Sequence, residues 1–395
     1  MRIAAVLAVW TAVLGASAGA QTAGPDGAPA LEAHPVSALV AERGLSAAMA
    51  TLDPAVEADA FALGALRFLA GVERGLATRW AKNIGGIGSL PLFRVPIATN
   101  PAPEPFAPGD VAALFDQLSA DMAAARAVLA PIQGEVALVL DLNDLWFDID
   151  GDGQRGPGED AALLTGGRGE GPLLVRFDTA DRHWLIGYTH LLAAFSELVL
   201  AFDPTDAIAA VGADRAALAP FASDRPMLTG SDDAALFDYL AIVRAALDQP
   251  PDAARLAQAV ADLRATIAAS RAFWTAVAAE DDDLAEWIPS DTQTAALGLT
   301  FPPGTGTAWL GFLAEIEAML DGRLLVPHPF MAEDAGIDLA TYAADPRPID
   351  ILSWLHGRGA LPYLKRGEVM SAAAWDAFQR LVGRRDAFLF AAILN

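Results

Sequence analysis

Apolar residues recur at three- and four-residue intervals along most of this chain, the pattern of amphipathic helices that share one core. Few segments alternate apolar and polar residues with a period of two, as half-buried strands do. The predicted fold class is therefore mainly α, a helical bundle with little sheet. The predicted helices cover about 35–51, 55–82, 108–129, 178–202, 232–248, 251–279, 307–321 and 371–382.

The first two predicted helices form a hairpin that is broken at Asp53-Pro54. Two small residues, Gly64 and Ala65, stand where the helices would cross, and they allow a close approach. The hairpin resembles a single tetratricopeptide unit, which implies an N-terminal pair of packed helices. Because the sequence contains one copy, no repeat array is predicted.

Two other features set the expected arrangement of the bundle. Asp178 is a suitable N-cap for the segment that runs to about Phe202. This segment is apolar almost all round, as expected for a central helix. The helices at 232–248 and 251–279 are joined by a short proline-containing link, which predicts that they pack antiparallel.

The N-terminus has the three parts of a secretory signal peptide. Met1-Arg2 is followed by about 13 apolar residues and then by the small-x-small pattern Ala18-Gly19-Ala20. We expect residues 1–20 to be removed, and residues 21–33, rich in Ala, Gly and Pro, to form a flexible mature N-terminus. The apolar stretch is shorter than the ~20 residues that a bilayer requires. We therefore expect no membrane span after cleavage, and a periplasmic or secreted protein.

Composition narrows the choice of partners. Acidic residues outnumber basic ones by 50 to 26, and the formal net charge is −24. Nucleic acids and anionic membranes bind positive patches, so neither is an expected partner. Apolar residues make up 54% of the chain, which is enough for a large core. The chain has no cysteine, which excludes disulfides and a thiol nucleophile.

The strongest chemical signal is the twelve-residue segment 148–159, which reads DIDGDGQRGPGE. Acidic side chains stand at its positions 1, 3, 5 and 12, and a glycine stands at position 6. Ca²⁺ prefers about six to eight oxygen ligands, and this spacing lets successive carboxylates converge as the chain curls. The segment resembles the calcium-binding loop of the EF-hand. The resemblance implies Ca²⁺ as the cofactor, with the ligands Asp148, Asp150, Asp152, Gln154 (through its carbonyl) and Glu159.

The surroundings of this loop favour a structural ion over a calcium sensor. The pattern occurs once, whereas sensing requires a helix pair that opens. Pro157 stiffens the end of the loop. Val136 and Val139, in the segment 135–147 before the loop, favour a short extended piece instead of the helix that precedes a regular EF-hand loop.

We expect residues 34–395 to form one large helical domain. Residues 34–147 and 160–395 are candidate halves, joined at the loop 148–159, and a bound ion would fasten them together. The order of features is similar to that of uncharacterised secreted, mostly helical bacterial proteins that surround one such loop with helices. That likeness implies no particular activity.

Two further groups of polar residues are candidates for chemistry. His183, His190 and Glu197 share one face of the predicted central helix. A rise of about 1.5 Å per residue separates neighbours in this set by roughly 10 Å, so a satisfied polar set inside the bundle is favoured over a metal site. The acidic run 280–283, with Glu286 and Trp287 after it, is either a second cation site or a solvated helix end, and the solvated end is favoured.

Three functions are compatible with these features. The leading hypothesis is a non-enzymatic, exported calcium-binding protein that binds an envelope protein or polymer. The second is an envelope hydrolase, because two carboxylates can meet from distant positions without a local motif. The third is a periplasmic protein that captures a solute or metal through the His183–Glu197 stripe. Beyond the leader, the chain has no G-x-S-x-G elbow, H-E-x-x-H pair or phosphate-binding glycine loop, so no catalytic residue is assigned.

Overall fold

A computed structural model of the chain describes residues 31–86, 92–93, 95–161, 171–221, 231–298, 301–371 and 373–382. The predicted signal peptide, residues 1–20, lies outside the described residues. The structure is 56% helix, with eleven α-helices and little sheet in the described part of the chain. The mainly α prediction is therefore confirmed.

The helices follow the predicted order, and three of them, α5, α9 and α10, were not predicted. Their bounds are α1 Pro35–Met49, α2 Glu57–Ala81, α3 Asp110–Leu129, α4 Thr179–Ala201, α5 Thr205–Leu218, α6 Ser231–Leu247, α7 Ala253–Val277, α8 Thr305–Leu320, α9 Leu339–Ala344, α10 Ile351–His356 and α11 Ala373–Val382. The strands are β1 Ala137–Asp141, β2 Leu174–Asp178, β3 Val326–Pro327, β4 Ala335–Ile337 and β5 Leu364–Arg366. β1 pairs with β2, and the other three form a small sheet in the order β3-β4-β5.

α4 is the central helix of the bundle, as predicted. It packs along α7 and α3, and α2 in turn packs on α3. Asp178 caps it: the Asp178 side chain accepts a hydrogen bond from the backbone N of Ala180 at 2.8 Å, and Asp181 accepts one from the backbone N of Asp178 at 3.1 Å. By length and composition α4 could also cross a membrane, but 56% of its most apolar window is buried inside the fold. A buried core helix has the same composition.

One hydrophobic core includes residues from both sides of the loop at 148–159. Its members come from α1 to α4 and the β1–β2 pair, and they include Phe61, Met122, Trp146 and Leu192. Full burial of a large apolar side chain contributes roughly 1.5–3 kcal/mol. The loop is therefore built into a shared core. A division into two halves at this point stays a prediction.

The first helical pair differs from a plain hairpin. α1 is interrupted at Gly44, whose φ of 76° lies in the left-handed region, and a Cβ there would lie 3.3 Å from the Trp146 ring. α2 packs more extensively on α3 than on α1. The likeness to a tetratricopeptide unit stays a prediction.

The chain reaches the loop at 148–159 through a strand. β1 and β2 are antiparallel, with Leu138 opposite Phe177. A 3-10 turn, Leu142–Asp144, follows β1, and an antiparallel bridge between Trp146 and Asp160 then closes the loop. The predicted extended segment before the loop is confirmed.

The expected antiparallel packing of the two helices around the Pro250-Pro251 link is wrong. α6 packs mainly on α5, whereas α7 packs on α4. The link turns the chain away because Asp252, extended at φ −69° and ψ 111°, caps α7 and donates its backbone N–H to the carbonyl of Ala201 at 2.8 Å. As a result α6 exposes a row of apolar side chains, namely Leu236, Phe237, Leu240 and Val243.

The close contact between α2 and α3 gives a stability prediction. A Cβ on Gly64 would lie 2.4 Å from Cδ2 of Leu129, which is fully buried. We expect Gly64→Ala to destabilise the fold by about 1–3 kcal/mol, since overpacking outweighs the helix propensity of alanine. The control is Gly212→Ala in α5, where nothing lies within 4 Å of the new Cβ.

The control should stabilise the fold by about 0.5–1 kcal/mol. Urea unfolding followed by circular dichroism measures both effects. An equal gain in stability from the two variants would contradict the close contact.

Candidate functional site

Two glycines give the loop at 148–159 its curvature. Gly151 and Gly153 both have a φ of 74°, a conformation that side-chain-bearing residues rarely adopt. No atom lies within 4 Å of a Cβ added at either position, so the requirement is for backbone conformation and not for space. Gly151 lies between Asp150 and Asp152, and Gly153 follows Asp152, so the chain bends where the three aspartates lie.

Three aspartates converge in this loop. One carboxylate oxygen from each of Asp148, Asp150 and Asp152 lies within 4.8 Å of the others. Each carboxylate is also held by a backbone N–H of the loop: Asp148 Oδ2 accepts from Gly153 at 3.1 Å, Asp150 Oδ1 from Asp152 at 3.2 Å, and Asp152 Oδ1 from Gln154 at 2.7 Å. These bonds fix the orientation of the three carboxylates.

Asp148 has one oxygen with no partner. Its Oδ1 is buried and makes no hydrogen bond within the described part of the chain. A buried unsatisfied polar group costs about 1–3 kcal/mol, and more when it is charged. A cation bound to this oxygen would remove this cost.

Glu159 lies beside this group but its carboxylate binds the loop backbone. It is 5% exposed, its Oε1 accepts from the backbone N of Ile149 at 2.8 Å, and its Oε2 accepts from the backbone N of Gly156 at 2.6 Å. The structure thus brings three of the four predicted carboxylates close together. The fourth, Glu159, accepts hydrogen bonds from backbone N–H groups on both sides of the loop. For Gln154, the fifth predicted ligand, the bond described is the one that its backbone N donates to Asp152.

Side chains tie the loop to the core. Arg155, at loop position 8, donates from Nε to Asp160 at 2.6 Å and from Nη2 to the carbonyl of Asn143 at 2.7 Å. Trp146, just before the loop, is 2% exposed and donates from Nε1 to the carbonyl of Val40 in α1 at 2.6 Å. The position of the loop relative to α1 is therefore set by buried contacts.

Glu73 of α2 is a site residue that the sequence did not reveal. Its Oε2 accepts a hydrogen bond from the backbone N of Asp148 at 2.9 Å. Burial raises the pKa of Glu73 to about 6, and the charges of Asp148 and Glu159 add to the rise. No local pattern marks Glu73, because it lies 75 residues before the loop in an ordinary helical stretch.

A second acidic group forms at the start of α4. Asp178, Glu280 and Glu286 each place an oxygen within 4.8 Å of the others. Arg176 is the cation beside them, at 3.1 Å from Asp178 and 3.3 Å from Asp282. Glu286 is 3% exposed, so the reading of this run as a solvated helix end is wrong for Glu286.

Burial governs the protonation of this second group. It raises the pKa of Glu286 to about 7, and it raises the pKa values of Glu280 and of the neighbouring Asp181. Neighbouring carboxylates add to all three shifts. Trp287 packs into an aromatic layer, with its ring centroid 5.5 Å from that of Trp184 and 5.8 Å from that of Phe177. Its contacts are those of a core residue.

The His183–Glu197 stripe of α4 does not converge on one point. Each member contacts a different partner. His183 lies 3.3 Å from Arg182, His190 lies 2.6 Å from Asp262, and Glu197 accepts a hydrogen bond from Arg255 at 3.0 Å. Burial lowers the pKa of both histidines, so burial favours their neutral forms. In the described residues, these three do not form a group whose ligand atoms lie close together.

No protein-family model matches the chain, and no curated protein and no solved structure matches it. The chemistry of the site therefore follows from its own geometry. Two acidic groups are present in the described residues, and one of them combines converging aspartates, a glycine-shaped loop and a buried unpaired carboxylate oxygen.

The second acidic group gives a pH prediction. Because the pKa of Glu286 rises from 4.5 to about 7 on folding, the folded chain holds a proton that the unfolded chain has lost between these values. Stability should therefore fall as pH rises through this window, by at most about 1.4 kcal/mol per pH unit for one group. We expect Glu286→Gln to flatten this slope.

The control for this experiment is Glu333→Gln, an exposed position, which should keep the wild-type slope. Urea unfolding in a chelating buffer between pH 5 and 8 measures the slopes. Parallel slopes for the wild type and Glu286→Gln would show that Glu286 is not protonated in the fold.

Proposed function

We propose that this protein is an exported, helical calcium-binding protein in which one Ca²⁺ ion has a structural role. The observation that carries the proposal is the convergence of Asp148, Asp150 and Asp152 within 4.8 Å, with one buried oxygen of Asp148 that has no hydrogen-bond partner among the described residues. Like charges at this separation repel, and a divalent cation turns the repulsion into attraction.

The type of ligand favours calcium. The group offers carboxylate oxygens and no sulfur or imidazole, and such hard ligands suit Ca²⁺ or Mg²⁺ better than zinc. Ca²⁺ accepts the larger and more irregular shell that a twelve-residue loop supplies, whereas Mg²⁺ demands a near-octahedral one. In the bound form Gln154 would add its carbonyl and Glu159 its carboxylate. Glu73 would orient the start of the loop.

A structural role fits the way the loop is held. It is closed by a strand-like bridge, and Trp146 and Arg155 tie it to the core. A sensor needs two helices that can separate, and this loop follows a strand and a 3-10 turn. The ion would fasten the loop against α1 and α2.

The proposal includes a location outside the cytoplasm and a binding partner there. The leader at residues 1–20 supports a periplasmic or secreted location, where calcium is abundant enough for a weak site with a Kd of about 10⁻⁴–10⁻³ M. The expected partner is an envelope protein or polymer. The apolar row on α6 supports a protein, because patches of this kind mark protein contacts. No described feature favours the hydrolase or the solute-capture hypothesis over this one.

Calcium should stabilise the protein by mass action. At ten times its Kd the ion adds about 1.4 kcal/mol to the free energy of unfolding. We expect the double variant Asp150→Asn/Asp152→Asn to lose this gain while remaining folded, because both side chains are exposed. Differential scanning fluorimetry with and without 10 mM calcium chloride, after treatment with a chelator, measures the shift.

The matched control is Asp206→Asn/Asp214→Asn, which removes two exposed acids from α5 and should keep the calcium-dependent shift. Without calcium, the loop variant should be at least as stable as the wild type, since it relieves repulsion. A wild-type melting temperature that is insensitive to millimolar calcium, together with no heat in titration calorimetry, would refute the proposal.

A further inference from the structure

A cavity of about 550 Å³ lies between the C-terminal end of α1, the turn after it, and the facing sides of α2 and α3. Small-molecule sites measure roughly 300–1,000 Å³, so the cavity is large enough for a ligand. Its lining is partly apolar and partly charged. Met49, Leu52 and Leu63 are apolar, whereas Arg67, Arg74 and Asp121 are charged.

The polar and apolar parts are arranged along α2. Leu63, Arg67 and Arg74 follow one another at spacings of four and seven residues, so they share a face of the helix. At about 1.5 Å per residue, the stripe extends for roughly 16 Å. A ligand lying along this stripe would contact Leu63 at one end and the two arginines further along α2.

One of the two arginines is fully paired within the fold. Arg74 donates from Nε and Nη2 to the two carboxylate oxygens of Asp121, at 2.9 and 2.7 Å. The Asp121 side chain is 8% exposed and also accepts from Gln117 at 3.0 Å. This bidentate pair joins α2 to α3 and adds no net charge to the cavity.

Arg67 differs from Arg74. Its described hydrogen bond runs from Nη1 to the carbonyl of Ala124 at 3.3 Å, and it makes no ion pair within the described residues. A guanidinium has five N–H donors, so most of its capacity is left over. Arg79 and Arg182 also make no ion pair with an acidic residue within the described residues, but they are buried and donate to backbone carbonyls, whereas Arg67 lines the cavity.

From this geometry we propose that the cavity binds a single-chain amphiphilic carboxylate of medium length, such as a short fatty acid. Arg67 binds the carboxylate, and Leu63, Leu52 and Met49 contact the apolar tail. Arginine pairs with carboxylates through two parallel hydrogen bonds, which gives both affinity and orientation. A cationic amphiphile would be repelled by Arg67, and a large polyanion by the net charge of −24.

Sodium octanoate is a suitable probe, and titration calorimetry on the mature full-length chain measures its binding, with and without calcium. We expect Arg67→Gln to weaken octanoate binding about ten- to a hundredfold, the usual effect of losing a charge-assisted hydrogen bond. The control is Arg43→Gln, at an exposed arginine that lies 3.3 Å from Glu42 and does not line the cavity. It should bind octanoate like the wild type.

A second variant tests the cavity separately from the charge. Ala124 lines the cavity and is exposed on α3, so Ala124→Trp should block the space without disturbing the core. We expect this variant to lose octanoate binding, and we expect octanol to bind the wild type at least tenfold more weakly than octanoate. Failure of millimolar octanoate to bind the folded wild type would overturn the proposal. Equal affinities of the wild type, Arg67→Gln and Ala124→Trp would overturn it as well.

Discussion

The mutual repulsion of carboxylates is the constraint on which the structure of the loop depends. Asp148, Asp150 and Asp152 bring oxygens within 4.8 Å of one another in a chain whose net charge is already −24. Two unit charges 4 Å apart repel by about 1 kcal/mol in water and about 4 kcal/mol at the dielectric constant near a protein surface. Hydrogen bonds from backbone N–H groups offset part of this cost. The buried Oδ1 of Asp148 accepts no hydrogen bond from the described residues. The proposed divalent cation would offset the rest of the repulsion.

The loop is embedded differently from the loop of a helix–loop–helix sensor. β1 and a 3-10 turn lead into it, and the bridge between Trp146 and Asp160 closes it. Trp146 is at once the closing residue and a fully buried member of the core that α1, α2 and α4 share. The proposed ion at 148–159 would thereby be coupled to the packing of the N-terminal helices, through which it would stabilise the fold.

Much of the fold followed from local sequence, because helix periodicity and capping are local. The bounds of α4 and its Asp178 cap are examples. The packing of α6 on α5 did not follow, because the link at Pro250-Pro251 does not fix the direction of the next helix. The loop aspartates were predicted, since their spacing is a motif. Three features were not predicted: Glu73, the meeting of Asp178 with Glu286, and Arg67 without an ion pair in the described residues. Each depends on segments that are distant in sequence.

Hydrogen–deuterium exchange of the protein with and without calcium tests the central claim most directly. The account predicts that calcium slows exchange in two regions: the loop with its flanks, residues 145–161, and the turns of α1 and α2 near Val40 and Glu73. Exchange in α8 to α11 should stay unchanged. If calcium left exchange in the loop unaltered, or slowed it equally along the whole chain, the loop would not be the site through which the ion stabilises this protein.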